Sequence, residues 1–218
     1  MRITKLFLLI LPTMCYAFTP GSGAEYDFHY NKQDAKLSIY IVDSSPKNVS
    51  VEFHFGTNTL WATNMWQQYK LDIREGASIG ISEGYIKTEK NKSSEKMIKE
   101  QFSLNTGVQI HQFLFADKKD IQKSFIGTET IELPAGTIKT DHYRKVSDGQ
   151  TVDFWISSEL RPIGLVKLIS KSRIEETNNY KIELSALLKN IKPAIEPKKA
   201  IEMTEESKKI FDKAAKKK

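Results

Sequence analysis

The sequence predicts a mainly β protein: a curved antiparallel meander sheet, forming a half-barrel or an open barrel, with few short helices and a helical tail at the C-terminus. Three observations predict this fold. Short runs of alternating apolar and polar residues recur along the chain, and turn residues separate them. No stretch of the body keeps a helical apolar period over more than about ten residues. Because such a sheet must hide one face, we expect it to curl.

The first 17 residues resemble a secretory signal peptide. Arg2 and Lys5 give a basic start, and Leu6–Leu11 is an apolar run. Cys15 and Ala17 are the small residues at the −3 and −1 positions of a cut after Ala17. The apolar run is shorter than the roughly 20 residues of a membrane-spanning helix. Lipidation at Cys15 is the alternative, although its preceding residues fit that poorly. We therefore expect a periplasmic protein with no transmembrane span in the mature chain.

Composition and charge exclude several classes of function. Hydrophobic residues make up 39% and charged residues 28% of 218, as in an ordinary globular domain. Cleavage removes the single Cys, so disulfides, thiolate metal sites and Cys proteases are excluded. Much of the net charge of +6 lies in residues 196–218, and the body shows no basic stripe. We therefore expect no nucleic-acid partner.

The body, residues 25–191, is predicted to be one antiparallel β domain that follows a flexible leader at residues 18–24. Ala135-Gly136 and the turn at residues 147–149 are typical of tight hairpins. Two short helices are predicted at residues 94–102 and 117–123. The predicted strands are residues 26–30, 37–42, 49–55, 65–73, 77–88, 108–115, 125–133, 137–146, 150–156, 164–170 and 180–188.

Residues 192–218 form a Lys-rich, partly helical tail in this interpretation. Pro193 and Pro197 interrupt what precedes, and Thr204 is a good cap for a helix that runs to about Ala215. Its acidic first turn and basic last turn suit the helix dipole. Two interpretations remain open: a solvated tail, or a helix that docks on an envelope protein or an anionic membrane surface.

Catalytic and metal-binding patterns are weak. Gly80–Gly84 matches the G-x-S-x-G nucleophile elbow around Ser82, but the following residues continue as a strand and not as a helix. His111 or His142, with Asp117 or Asp141, would complete a triad only on paper. His29 and His54 fall on the polar faces of strands, and no two histidines have the close spacing of a metal site. We expect no catalytic residue, no metal and no cofactor.

Aromatic residues are the candidate ligand-binding residues. In a curled sheet they would line the concave face or its rim, where ordinary core is the alternative interpretation. The predicted lining residues are Trp61, Trp66, Phe113, Phe115, Phe154 and Trp155.

Two stretches resemble a known group of proteins. The hairpin from Gly127 to Gly136, with its G-T-E-x-I-x-x-P-A-G pattern, precedes a W-I-S-x-x-x-x-P-x-G-L-V-K pattern from Trp155 to Lys167. Together they resemble an uncharacterised family of bacterial periplasmic β-proteins, which is similar to the half-barrels of the outer-membrane lipoprotein carrier (Lol) superfamily. The resemblance implies a curved sheet whose concave face holds acyl chains or a protein partner. Carriers begin with a helix, whereas this chain begins with a leader.

The sequence thus favours a non-enzymatic periplasmic binding protein that holds a lipid, an acyl chain or a lipidated polypeptide on a concave sheet. The alternative is a structural or interaction component of a cell-envelope assembly, whose Lys-rich tail docks on a partner. A hydrolase acting through Ser82 is the third hypothesis.

Overall fold

A computed structural model describes residues 18–30, 33–56, 64–72, 80–98, 121–147, 149–160, 163–174, 179–205 and 207–208. Within these ranges, twelve strands form one open, curved sheet. They are β1 (Gly23–Tyr30), β2 (Gln33–Ser44), β3 (Asn48–Phe55), β4 (Met65–Asp72), β5 (Gly80–Thr88), β6 (Glu95–Lys96), β7 (Phe125–Leu133), β8 (Gly136–Ser147), β9 (Gln150–Ile156), β10 (Leu165–Ser172), β11 (Tyr180–Leu188) and β12 (Ile201–Glu202).

The strand order is β12-β6-β5-β4-β3-β2-β1-β11-β10-β9-β8-β7. All neighbours are antiparallel except β12 and β6, which pair parallel. Two meanders, β1–β6 and β7–β11, are therefore joined in the middle of the sheet by the pairing of β1 with β11. The predicted mainly β, curved antiparallel architecture is confirmed.

The strand periodicity located the strands well. Of the two predicted helices, the one at 117–123 overlaps a single turn of 3-10 helix, Gln122–Ser124, in the residues that the structure describes. Most of the predicted strands agree with the observed ones within a few residues, while the predicted strand at 108–115 lies outside the described residues. The predicted helix at 94–102 is wrong where the structure describes it, because residues 95–96 pair with β5 as strand β6. The segment predicted as a leader ends in strand β1, which begins at Gly23. None of the helices that the structure describes has the length and apolar character needed to span a membrane.

The inner face of the sheet is filled by the chain's own side chains. One hydrophobic cluster extends from Leu71 in β4, through Ala24 and Tyr26 in β1, to Phe154 in β9 and Tyr143 in β8. The hydroxyl of Tyr26 donates a hydrogen bond of 2.9 Å to the carbonyl of Leu165, two strands away. A side chain can bridge that distance because the sheet curls around its core.

The segment after β11 is a strap, residues 189–205, that crosses the outer face of the sheet and ends beside β6, where Met203 packs with Ile86 and Met97 on the inner face. Its Ile191 N–H donates to Gly21 O (3.0 Å), Lys87 Nζ donates to Ala194 O (3.1 Å), and Ile195 is 1% exposed. The strap ends as β12, alongside β6. It therefore covers the side of β3–β5 that faces away from the core.

The predicted helical tail is not supported. The strap contains only one turn of 3-10 helix, Pro197–Lys199, and the two-residue strand β12. The hydroxyl of Thr204 accepts a hydrogen bond from the N–H of Ser207 (3.2 Å), but residues 209–218 lie outside the described residues. The local pattern did not show that the strap makes backbone hydrogen bonds with the sheet, and the helix predicted from Thr204 to about Ala215 lies mostly outside the described residues.

Glu52 fixes the strap to the sheet. Its side chain is completely buried on the outer face of β3, where it accepts hydrogen bonds from four donors. Ala194 N–H (2.8 Å) and Ile195 N–H (3.1 Å) come from the strap, while Gln68 Nε2 (3.0 Å) and the Tyr40 hydroxyl come from neighbouring strands. Burial, reinforced by the Glu52 charge, raises the pKa of Tyr40 and keeps this donor protonated.

We predict that Glu52→Gln lowers the free energy of unfolding by about 3 kcal/mol, because the amide nitrogen would face groups that are all donors. Urea denaturation at pH 7 measures this. Glu132→Gln, at an exposed glutamate of β7, is the control and should change stability by less than about 0.5 kcal/mol. Equal effects of the two substitutions would show that the strap does not depend on the carboxylate.

Candidate functional site

The outer face of β7–β9 carries an ordered group of aromatic and charged side chains. The rings of His142 and Trp155, register partners on β8 and β9, are stacked with centroids 4.3 Å apart. His142 Nε2 lies 2.8 Å from Asp153 Oδ1, and its Nδ1 lies 3.4 Å from Glu129 Oε1. The indole N–H of Trp155 donates to the same Glu129 oxygen. The imidazole is thus held by two carboxylates and one aromatic ring.

Ion pairs extend this group along the outer face. Arg144 Nε donates to Asp153 Oδ1 at 2.7 Å. Burial opposes ionisation of Asp153, but hydrogen bonds from Arg144 and His142 outweigh it and hold the pKa of Asp153 below its ordinary value. Glu183 follows the same rule: burial opposes its charge, while Lys181 and Lys167 hold its pKa low. These charges are paired with each other, which keeps this sheet surface polar.

The inner face ends in a group of aromatic residues, which we call the aromatic end. Phe28 stacks on Tyr30 (6.4 Å between centroids) and on Tyr180 (5.9 Å), at the end of the sheet where β1 stops and β11 starts. All three side chains are half-buried. At the same end, Phe125 lies edge-on to Tyr143 (5.6 Å) and is 42% exposed. Apolar ring surface therefore remains accessible here.

The opposite end of the core is closed by the chain itself. Phe18 and Leu160 pack against the hydrophobic cluster, and Ile163 is 2% exposed. The carbonyl of Phe18 is held by the Ser44 hydroxyl at 2.8 Å. The two ends of the curled sheet therefore differ in how far they expose apolar surface.

The predicted ligand-binding residues do not share one surface. Trp61, Phe113 and Phe115 lie outside the described residues. Phe154 faces inward and is 1% exposed. Trp155 lies on the opposite face, because successive strand residues alternate between faces, but it is only 9% exposed and belongs to the same hydrophobic cluster. Trp66 also lies on the outer face, stacked on His54 at 4.7 Å. The residues of the aromatic end were not among the predicted ligand-binding residues, although the alternation of Phe28 and Tyr30 is visible in the sequence.

Ser82 lies within a strand and not at a strand-to-helix turn. The register between β4 and β5 shifts at this point, so that Ser82 is the extra residue of a bulge between Ile81 and Glu83. Its hydroxyl donates to the carbonyl of Lys70 at 3.2 Å. Gly80 and Gly84, the two glycines of the motif, thus lie on either side of a strand bulge.

Metal ligands are not assembled in the part of the chain that the structure describes. No group of three or more His, Cys, Asp or Glu side chains there could hold an ion. His29 is paired with Asp34 at 2.6 Å, and His54 with Asn64 at 3.3 Å, so the two histidines have separate environments. A polar hollow of about 350 Å³ lies at β7–β9, lined by Thr128, Lys139, Thr140, Asp141, Ile156, Ser158 and Glu159.

Comparison with known proteins gives distant structural likeness alone. No family model matches the chain, and no curated protein matches it. A protein assigned as a lipoprotein from Parabacteroides distasonis is similar with a TM-score of 0.38 and 14% identity, covering 78% of this chain and 96% of that one. MucB in complex with MucA(peri) has a TM-score of 0.35 and 8% identity, over 80% of this chain and 52% of that one.

A Pseudomonas aeruginosa MucA/MucB complex has a TM-score of 0.34 and 9% identity, over 82% of this chain and 55% of that one. The chain thus spans about half the length of the MucB chains that it resembles. Such low TM-scores carry no argument about function. The family resemblance inferred from the sequence motifs is not matched by a family model.

We predict that Asp153→Asn destabilises the protein by about 1 kcal/mol at pH 7, and by much less at pH 3. A carboxyl whose pKa is lower in the folded state stabilises that state above its unfolded pKa of about 4, and loses this contribution as the pH falls through the folded value. Urea unfolding of both proteins at the two pH values measures the difference. Glu159→Gln, at an exposed position, serves as the control. A wild-type–variant difference that is the same at pH 7 and pH 3 would contradict the prediction.

Proposed function

We propose that the protein is a non-enzymatic binding protein of the bacterial periplasm, which holds a lipid, an acyl chain or a lipidated polypeptide at the aromatic end of its curved sheet. The single observation that supports this best is the half-buried stack of Phe28, Tyr30 and Tyr180 on the inner face. The middle of that face is already filled, so an apolar ligand would contact the core from this end.

The chemistry of the site suits an acyl chain. Aromatic rings offer a large apolar surface at a small cost in side-chain entropy. Each methylene that leaves water contributes about 0.8 kcal/mol, so burial of five or six carbons supplies roughly 4–5 kcal/mol. That range corresponds to weak, exchangeable binding, as expected for a protein that receives and releases a ligand.

The location and the absence of catalysis are part of the proposal. Export rests on the basic start, apolar run and small residues of the first 17 residues. The non-enzymatic role rests on Ser82, whose place in a strand bulge does not give the exposed nucleophile of a hydrolase elbow.

We predict that a fluorescent fatty-acid probe binds the full mature chain, and that Phe28→Ser weakens binding about tenfold by removing the ring that both tyrosines contact. Fluorescence titration measures the dissociation constants. Ile201→Ser is the matched control, because it removes a 47% exposed apolar side chain from β12, an edge strand six strands away from β1. An unbound probe, or equal losses in the two variants, would rule out this site.

A second candidate is an interaction component of an envelope assembly, docked through its Lys-rich C-terminus. The observation that favours it is the strap, which fixes where this terminus leaves the sheet. Ile201 N–H donates to Ser94 O (2.9 Å), and Met203 is buried against Ile86 and Met97. The five lysines after Lys208 would start from this anchored edge.

We predict that truncation after Lys208 leaves the free energy of unfolding within about 0.5 kcal/mol of the full chain, because it spares the strap. If the second candidate function is correct, the full chain captures an envelope partner after cross-linking in cells, and the truncated chain does not. Fatty-acid binding should persist. Partner capture that is unchanged by the truncation would exclude docking through these lysines.

A further inference from the structure

The outer face of β2–β4 has the properties of a peptide-binding groove whose occupant is the strap. Glu52 accepts hydrogen bonds from two consecutive strap amides, those of Ala194 and Ile195. Gln68 Nε2 donates to Ile195 O at 3.2 Å, and the Ile195 side chain is buried. Backbone groups and one apolar side chain are thus recognised together, as in the binding of extended peptides.

The connection between β11 and the strap is conformationally strained. Asn190, two residues after β11 ends, has φ of 58°, and it is the sole non-glycine residue with positive φ among those that the structure describes. The next residue, Ile191, packs closely against Gly21. A β-carbon added at Gly21 would lie only 3.0 Å from the carbonyl oxygen of Ile191. Left-handed conformations are tolerated by Asn, but they cost energy relative to extended backbone. An extended hinge would release this cost.

We propose that this groove also accepts the strap of a second copy of the chain, so that two molecules exchange their straps. In the exchanged dimer every contact between strap and groove is kept, since the groove and the strap are the same in both copies. The hinge at Lys189–Asn190 changes from left-handed to extended. Exchange therefore changes only the conformation of the hinge, and all four hydrogen bonds to Glu52 are kept.

The hinge residue provides the test. Asn190→Val disfavours the left-handed turn, because a β-branched side chain clashes there, while Asn190→Gly accepts the turn freely. Neither substitution touches the groove. We expect the Asn190→Val chain to show a dimer fraction at least tenfold above that of Asn190→Gly at equal concentration, measured by size-exclusion chromatography with light scattering. The wild-type chain should lie between them.

Hydrogen exchange tests whether the strap still occupies a groove in the dimer. In the dimer, the amides of Ala194 and Ile195 should stay as protected as in the monomer, because each is bound by the partner's Glu52. A monomeric Asn190→Val chain overturns the proposal, whether or not these amides are protected. A dimer with unprotected amides also overturns it, since the straps would then have left the grooves.

A second measurement uses the wild-type chain alone, in case Asn190→Val does not fold. Refolding from urea at millimolar concentration should yield a dimer that separates only slowly on dilution, because separation requires both straps to leave their grooves. Refolding at micromolar concentration should give the monomer. A mixture of two isotope-labelled batches refolded together should contain mixed dimers by native mass spectrometry. A chain that refolds to monomer at both concentrations overturns the proposal.

Discussion

A buried carboxylate, that of Glu52, holds the strap on the sheet, and none of its hydrogen-bond partners among the described residues is basic. Glu52 has no exposed surface, and burial of an isolated charge costs several kcal/mol. Its four hydrogen bonds offset that cost, and two of them come from a segment that is 142 or 143 residues away in sequence. The charge therefore requires the strap to be in place, and the strap in turn removes the outer face of β3 from solvent.

The outer face of the other half meets water in a different way. From β2 through β11 to β8, opposite charges lie on adjacent strands, as in Lys36 with Asp27 (2.6 Å) and Lys167 with Glu183 (2.9 Å). Lys167 also stands over the ring of Trp155, at 5.5 Å from its centroid. Such partly exposed pairs contribute little each to stability, but they keep an extended sheet surface polar. The outer face of the sheet is thus covered by the strap at β3–β5 and is kept polar by paired charges on the remaining strands.

The sequence predicted the strands because their alternation is local, and it failed where the outcome depends on distant residues. The alternation of Val49, Val51 and Phe53 defines β3 and its buried face without further information. The same pattern correctly places Glu52 on the polar face of β3. It also predicts that this face is exposed to solvent, which is wrong for Glu52, because no residue nearby in sequence indicates that the strap covers it. The strap has two prolines and no periodicity, so its local pattern predicted a tail.

The aromatic residues show the same division between what is local and what is not. Phe154 and Trp155 both looked like lining residues, yet consecutive positions in a strand must point to opposite faces, so one of them could never line the concave side. Which of the two points inward follows from the register of β9 with β8 and β10, and it places Phe154 between Tyr143 and Leu168. Composition alone does not predict which of the two side chains points inward.

The curled sheet has one closed end and one aromatic end, so the binding hypothesis places the ligand at the aromatic end. Phe18, Leu160 and Ile163 seal the end at which β1 begins, and the strap hinge lies at that same end, beside Gly21. At the other end the stack of Phe28, Tyr30 and Tyr180 remains half-buried. A ligand held there and a strap exchanged through the hinge would therefore use opposite ends of the sheet. Because Glu52 and the strap amides that it binds lie on the outer face, whereas the rings lie on the inner face, release of this part of the strap can leave the aromatic end in place.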